Sequence, residues 1–155
     1  MSLKADRHVL KTDISFFMNE VANRGGVVCF STIGSGAAMD QAAALVTHKA
    51  ASSGSFPAGL LLGDMVNLDL TRQHINRHKD ETQKGGKVCL MTHGWVVTDQ
   101  VTSGITLVAG DTAYLAAGGR VTNVDTGAAA SPKVGRWLSK KDEDGYAKLE
   151  INLPN

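Results

Sequence analysis

The sequence predicts an all-β fold, a small antiparallel β-barrel or sandwich built from many short strands. Two observations carry this prediction: apolar and polar residues alternate strictly near the C-terminus, and glycine pairs separate short β-prone runs. The chain has 155 residues, the size of one domain. We therefore expect a single β domain over residues 13–155, preceded by a short N-terminal segment.

The C-terminal third is predicted to be a meander of short antiparallel strands. Over residues 146–153 the side chains alternate between apolar and polar, which is typical of a half-buried strand. The strand before it covers residues 133–138, and Asp144-Gly145 ends the charged loop between them, so the pair forms a hairpin. Residues 112–115 and 120–124 predict a second hairpin around Gly118-Gly119.

Further strands are predicted upstream from runs of β-branched and apolar residues. Residues 13–18 and 27–33 are β-prone, and residues 57–66 are the most apolar part of the chain, short enough for a buried strand. Residues 41–50 are ambiguous, because three alanines favour a helix whereas Leu-Val-Thr-His alternates like a strand. Their position between two predicted strands favours a strand.

Two segments depart from this pattern. Residues 1–12 mix charged and apolar side chains without a period, and we interpret them as an extended N-terminal arm that becomes ordered on a partner. Residues 67–84 form one long polar loop with four basic and three acidic residues. Loops of this length are usually functional or disordered. We expect this loop to contact a partner, with a solvated excursion as the alternative.

The order of the motifs in the second part of the chain resembles a known family. P-A-G-L-L-L and K-G-G-K-V-C-L-M-T-H-G-W-V-V are followed by A-G-D-T-A-Y-L, G-G-R-V-T, K-V-G-R-W-L-S and D-G-Y-A-K-L-E-I-N-L. Over residues 57–153 this order is similar to that of the capsid decoration proteins, or head cement proteins, of tailed bacteriophages. The resemblance implies a structural virion protein that binds the outer surface of the expanded head, contacts the major capsid protein and occurs as a trimer or dimer.

The composition points away from charged polymers and membranes as partners. With 16 basic and 15 acidic residues the charge is nearly balanced, so no global field attracts nucleic acid or an anionic bilayer. No run approaches the length of a membrane span and the start lacks a signal-peptide pattern, so we expect synthesis in the host cytoplasm. Cys29 and Cys89 lie in apolar strand-like runs and are expected to be free thiols rather than a disulfide.

Motifs for catalysis or cofactor binding are incomplete. The glycine-containing loop at residues 34–40 has Met39 where a dinucleotide fingerprint needs its third glycine. His74 and His78 have the spacing of a helical metal pair, but Ile75 stands where a zinc protease has its glutamate, and no third ligand follows. No nucleophile motif occurs. The sequence therefore predicts no enzyme, cofactor or metal.

The residues expected to contact the coat or a neighbouring copy are basic, imidazole or indole side chains: Arg72, His74, Arg77, His78, Trp95 and Trp137. Tryptophan is enriched at interfaces, although half-exposed packing on a barrel explains both tryptophans equally well. Two other functions stay open. One is a small ligand-binding or enzymatic barrel in which the His-rich loop and Trp95 line a pocket, and the other is a phage tail or baseplate β module.

Overall fold

The computed structural model describes residues 2–31, 44–48, 54–64, 80–125 and 131–154. In these ranges the fold is all-β, as predicted, with a single 3-10 turn at Ala117–Gly119. The strands are β1 (Leu3–Met18), β2 (Ala22–Asn23), β3 (Val27–Phe30), β4 (Leu45–Thr47), β5 (Pro57–Asp64), β6 (Glu81–Thr82), β7 (Lys87–Thr98), β8 (Thr112–Leu115), β9 (Val121–Thr122), β10 (Lys133–Trp137) and β11 (Ala147–Asn152).

Five of these strands close into a ring. Their order is β1, β4, β3, β5 and β7, and pairing between β1 and β7 joins the two ends of this run. All neighbours in the ring are antiparallel except β1 and β4, which pair in parallel at Phe17 and Met18. Because β4 pairs with β1 at these two positions only, the ring closes in part, and the rest of that β1 edge has no strand partner among the described residues. This part of the chain is a small barrel.

The long strand β7 connects the ring to the C-terminal meander. Along one edge it pairs with β1 from Lys87 to Thr98. Its other edge is shared, because Val88 to Met91 pair with β5 and His93 to Thr98 pair with β11. From β11 the sheet continues through β10 and β8 to β9. The meander is therefore an extension of the C-terminal half of β7.

Strands β3 and β5 are buried on both faces. Val27 and Cys29 belong to the larger core cluster, which also contains the apolar side chains of the meander, whereas Val28 belongs to a smaller cluster. Leu60 and Leu61 of β5 divide between the same two clusters. A strand covered on both sides reads as a continuous apolar run rather than an alternating one. This explains the uninterrupted V-V-C and L-L-L runs.

Most of the predicted strands are confirmed. β10 and β11 form the predicted hairpin, and the alternation is realised with Ala147, Leu149 and Ile151 buried. β8 pairs with β9 as the second hairpin. β4 lies within the ambiguous residues 41–50 and is a strand. The run of apolar residues after Pro57 forms β5. Local sequence patterns were sufficient for these elements except β4, whose prediction depended on its position between two strands.

The N-terminal segment differs from the expected arm. Residues from Leu3 onward belong to β1 and pair with β7 as part of the main sheet. Leu3 is buried in the core, and the carbonyl of Ser2 accepts hydrogen bonds from the Thr98 hydroxyl and from the backbone N–H of Asp99. The segment is held by these contacts within the chain, so its order does not depend on a partner.

The long polar loop lies partly outside the described residues, since residues 65–79 are not among them. Its last part is strand rather than loop: β6 pairs with β2 through Glu81 and Thr82. Asp80 accepts a hydrogen bond from the backbone N–H of Ser2 and forms an ion pair with Arg24 at 3.0 Å. Within the described part of the predicted loop, Glu81 and Thr82 are therefore strand, and Asp80 ties β2, β6 and the start of β1 together.

Candidate docking surface and polar pocket

The sequence-predicted contact residues fall into three groups. Arg72, His74, Arg77 and His78 lie outside the described residues. Trp95 is half-buried on β7 and retains an accessible face. Trp137 lies in the large core cluster with 0% exposure. Of the six, Trp95 is the residue that the structure places on a describable surface.

Trp137 has a packing role in the meander. The backbone of Trp137 donates to the carbonyl of Asp111 and accepts from the N–H of Gly110, both at 2.8 Å, which fixes β10 against the loop before β8. The indole is buried with no accessible surface. A side chain without accessible surface cannot anchor a partner on this chain's exterior. We therefore do not include Trp137 in the candidate docking surface.

Trp95 lies in a lateral row of outward-facing side chains, which we call the Trp95 row. Across β1, β7, β11 and β10 the register aligns His8 with Trp95, Trp95 with Glu150 and Glu150 with Arg136. Side chains directly opposite one another on a sheet are close enough to interact. The row therefore brings one aromatic and several charged groups from distant parts of the sequence onto one face.

Charged side chains cover the aromatic groups of this face. The Lys148 ammonium lies 3.6 Å from the centre of the Trp95 ring. The Lys4 ammonium lies 4.3 Å from the Tyr146 ring and 4.0 Å from the Asp142 carboxylate. Such cation–π contacts contribute about 0.5 to 1 kcal/mol at exposed sites. The face is polar at its surface and has aromatic area beneath.

The free edge of β1 borders the Trp95 row. Residues 5–8 and 10–12 are exposed. Among the described residues no strand pairs with β1 on the side away from β7 until Phe17. A strand edge of this kind presents backbone N–H and C=O groups to an incoming segment. We call residues 5–15 the β1 edge.

The β1 edge carries both apolar and charged side chains. Leu10 is 71% exposed and Ile14 is 38% exposed. Asp6, Arg7 and Lys11 lie among them, and the pairing with β7 has several register shifts. Charges and bulges are devices that prevent indiscriminate edge-to-edge association. The edge is suited to a specific partner and protected against random ones.

A second feature is a cavity of about 600 Å³ between the ring and the meander, which we call the polar pocket. Its lining comes from four separate segments: Asn23, His48, Gln100, Thr102, Ala116, Ala117, Gly118 and Arg120. Trp95 is not among them, so the pocket is not the one that the His-rich loop and Trp95 were considered to form. These positions do not form a sequence motif. The sequence predicts Gly118-Gly119 only as a hairpin turn and not as part of a pocket.

His48 is held firmly at this pocket. Its backbone N–H donates to Glu20, and so does the hydroxyl of Thr47. The imidazole packs against Gly119, where an added Cβ would lie 2.5 Å from Cδ2 of the ring. Only glycine leaves room for the ring at this position. Burial of the imidazole lowers the pKa of His48, although the negative charge of Glu20 acts in the opposite direction. The lowered pKa favours the neutral imidazole at neutral pH.

The described residues offer no further chemical centre. Within them no group of three or more His, Cys, Asp or Glu side chains could hold a metal ion. Cys29 and Cys89 are not joined in a disulfide, and burial raises the pKa of Cys89. In the same part of the chain, no helix has the length and hydropathy that a transmembrane segment requires.

Comparison with known proteins adds nothing to this geometry. No model of a known protein family matches the chain, and no curated protein matches it. The candidate sites therefore depend on the residues themselves: the β1 edge with the Trp95 row, and the polar pocket.

Proposed function

We propose that this protein is a capsid decoration protein of a tailed bacteriophage, which binds the outer surface of the expanded head across boundaries between coat subunits. The order of sequence motifs over residues 57–153 suggests this class, and an all-β domain is compatible with it. A protein that binds only the assembled shell stabilises that shell by mass action. The role requires a docking surface and no catalytic group.

The observation that supports a particular docking site is the β1 edge. Among the described residues no strand pairs with this edge, and the side chains of Leu10 and Ile14 are exposed along it. An extended segment of a coat subunit would add to this edge as a further strand, with the backbone supplying affinity and side chains supplying specificity. The partner is the major capsid protein.

The neighbouring Trp95 row would extend the contact. Trp95 offers aromatic area beneath Lys148, and Arg136 and Glu150 offer charges at its rim. Aromatic and arginine side chains are enriched in the energetically important parts of interfaces. Copies of the protein on the shell would form a trimer or dimer, in which this face or the β1 edge also meets a neighbour.

The test is sedimentation of the purified protein with expanded heads assembled from the coat protein of the same genome. Leu10→Asp with Ile14→Asp should weaken binding about tenfold or more, because buried apolar anchors dominate interfaces. Val108→Asp is the matched control, since Val108 is 60% exposed and belongs to neither the edge nor the Trp95 row. The control should bind like wild type.

The outcomes separate the candidate functions. Wild-type protein that fails to sediment with heads contradicts the proposal, and binding to purified tails instead would assign it to a tail or baseplate module. If the control loses as much binding as the double variant, the β1 edge is not the docking site. The free energy of unfolding of each variant is obtained from thermal melting. A value within about 0.5 kcal/mol of wild type shows that only the surface was changed.

A further inference from the structure

The polar pocket contains two buried polar atoms without hydrogen-bond partners. They are Nε2 of His48 and Oγ1 of Thr102, each inaccessible to solvent and unpaired among the described residues. A buried polar group left unpaired costs about 1 to 3 kcal/mol, so native structures rarely leave two in one place. The other such atoms, in His93 and Trp137, belong to residues that do not line the pocket. Both residues line one cavity, but neither of these two atoms has accessible surface, so the groups that a ligand could contact are the accessible polar side chains of the lining.

The pocket is held in place by contacts within the chain. The His48 ring lies against Gly26 and Gly119, where added Cβ atoms would be 3.2 Å and 2.5 Å from ring atoms. Thr102 is fixed by its backbone N–H, which donates to the carbonyl of Val121 at 3.1 Å. A side chain fixed before binding loses little entropy when a ligand arrives. The polar groups are therefore preorganised.

The lining selects the charge of the ligand. Arg120 is exposed at the pocket and supplies a permanent positive charge, while none of the described lining residues is acidic. The amides of Asn23 and Gln100 add hydrogen-bond donors, and the Gln100 amide also donates to the Asp99 carboxylate at 2.9 Å. None of the lining residues that the structure describes is aromatic, so none of them can stack against a sugar ring. This combination favours an anion over a cation or a neutral saccharide.

We propose that the polar pocket binds a small ligand through a carboxylate or phosphate group, with Arg120 as the countercharge and Asn23 and Gln100 as hydrogen-bond donors. Arginine matches both oxyanions because its planar guanidinium donates two parallel hydrogen bonds. The volume of about 600 Å³ lies in the range of small-molecule sites. This inference is independent of the capsid function, since the pocket includes neither the β1 edge nor the Trp95 row.

The experiment is a titration of the folded full-length protein followed by nuclear magnetic resonance. Citrate and inorganic phosphate are added in separate arms at constant ionic strength, with glucose as the neutral arm. Saturable shifts of the His48 imidazole and of the Gly118 and Gly119 amides are expected in at least one of the anion arms. A response to citrate alone assigns a carboxylate ligand, and a response to phosphate alone assigns a phosphate ligand.

Two substitutions locate the binding. Arg120→Gln should weaken binding about tenfold or more, because it removes a charge-assisted hydrogen bond. Lys140→Gln is the matched control, since Lys140 is an exposed base after β10, outside the pocket and outside the Trp95 row, and it should bind like wild type. Asn23→Ala removes one amide donor of the pocket and should weaken binding less than Arg120→Gln.

Three results would overturn the proposal. They are the absence of saturable shifts with both anions, shifts with glucose as large as those with the anions, and equal weakening by Arg120→Gln and Lys140→Gln. The last result would mean that anions bind diffusely to surface charge. The amide spectrum of each variant, compared with that of wild type, confirms that the variant is folded before its affinity is interpreted.

Discussion

The C-terminal meander and strand β1 belong to one sheet, yet they depend on different kinds of contact. In the meander, β10 pairs with β11 and β8 pairs with β9 across single turns. β1 pairs along its length with β7, so that Leu3 lies opposite Thr98. Hairpins formed by neighbouring segments have local patterns, whereas pairing between distant segments has none. The comparison shows why an aperiodic segment need not be a free arm.

The burial of the two regions shows the same contrast. β11 alternates between buried and accessible residues because one of its faces covers the core. Residues 5–8 and 10–12 of β1 are exposed, so no face of that stretch needs to be apolar. Its order comes from backbone hydrogen bonds to β7 and from anchors at its ends, Leu3 and Phe16. Alternation of apolar and polar residues appears where one face of a strand is buried. The exposed stretch of β1 is paired with β7 but has no buried face, so it has no such alternation.

The first prediction tests whether β1 is part of the fold. Deletion of residues 1–12 should lower the free energy of unfolding by at least about 3 kcal/mol, because it removes the buried Leu3 side chain and exposes an edge of β7. Urea unfolding monitored by circular dichroism measures the loss. Leu10→Ser in the full chain is the control and should change stability by less than about 0.5 kcal/mol. A deletion variant as stable as the full chain would restore the interpretation of a separate arm.

The second prediction separates β1 from the meander within the intact chain. Gly94 has φ 136°, and an added Cβ would lie 2.1 Å from the carbonyl oxygen of His8 on β1. Gly94→Ala should therefore lower stability by about 1 to 3 kcal/mol, through strain and loss of β1 pairing. Hydrogen exchange should accelerate at the amides of β1 and stay unchanged in the hairpin of β10 and β11.

Gly104→Ala is the control for this substitution. Gly104 also has a positive φ, 76°, but nothing lies within 4 Å of an added Cβ. Its effect should be confined to local backbone strain, with β1 exchanging as in wild type. Equal acceleration of exchange in β1 and in the meander after Gly94→Ala would mean that the two regions unfold as one unit.

The third and smallest prediction concerns Asp80, which anchors the start of β1. Burial alone would raise the pKa of Asp80, but hydrogen bonds from the Ser2 backbone and Arg24 hold this pKa below its ordinary value of 3.8. A lowered carboxyl pKa stabilises the fold fully above the ordinary value, and the contribution is lost as pH falls through the lowered pKa. Asp80→Asn should therefore cost about 1 kcal/mol at neutral pH and progressively less in acid.

Urea unfolding of wild type and Asp80→Asn at neutral and acidic pH measures this dependence. Asp144→Asn, at the exposed tip of the hairpin between β10 and β11, is the control and should leave stability unchanged at both pH values. A difference between wild type and Asp80→Asn that is independent of pH would show that the anchor depends on shape rather than on the charge of the carboxylate.

The candidate sites were predicted less completely than the fold. Trp95 was recognised because an indole in a strand stands out, but the same reasoning selected Trp137, which the structure buries. The two tryptophans have similar local surroundings in the sequence, and their exposure depends on which face of the sheet the core occupies. The polar pocket was not anticipated, because its residues come from four segments that are brought together only when the ring closes.

The sequence by itself determined the all-β class, the two C-terminal hairpins and the buried run of β5, because alternation, glycine turns and continuous apolar stretches act over a few residues. The tertiary structure decided the pairing of β1 with β7 and the closure of the five-strand ring. It also decided that Trp95 is partly accessible whereas Trp137 is buried, and that His48 and Arg120 line the same cavity. These features depend on contacts between segments far apart in the chain. Such contacts are fixed by packing and backbone pairing of the whole domain and leave no local pattern in the sequence.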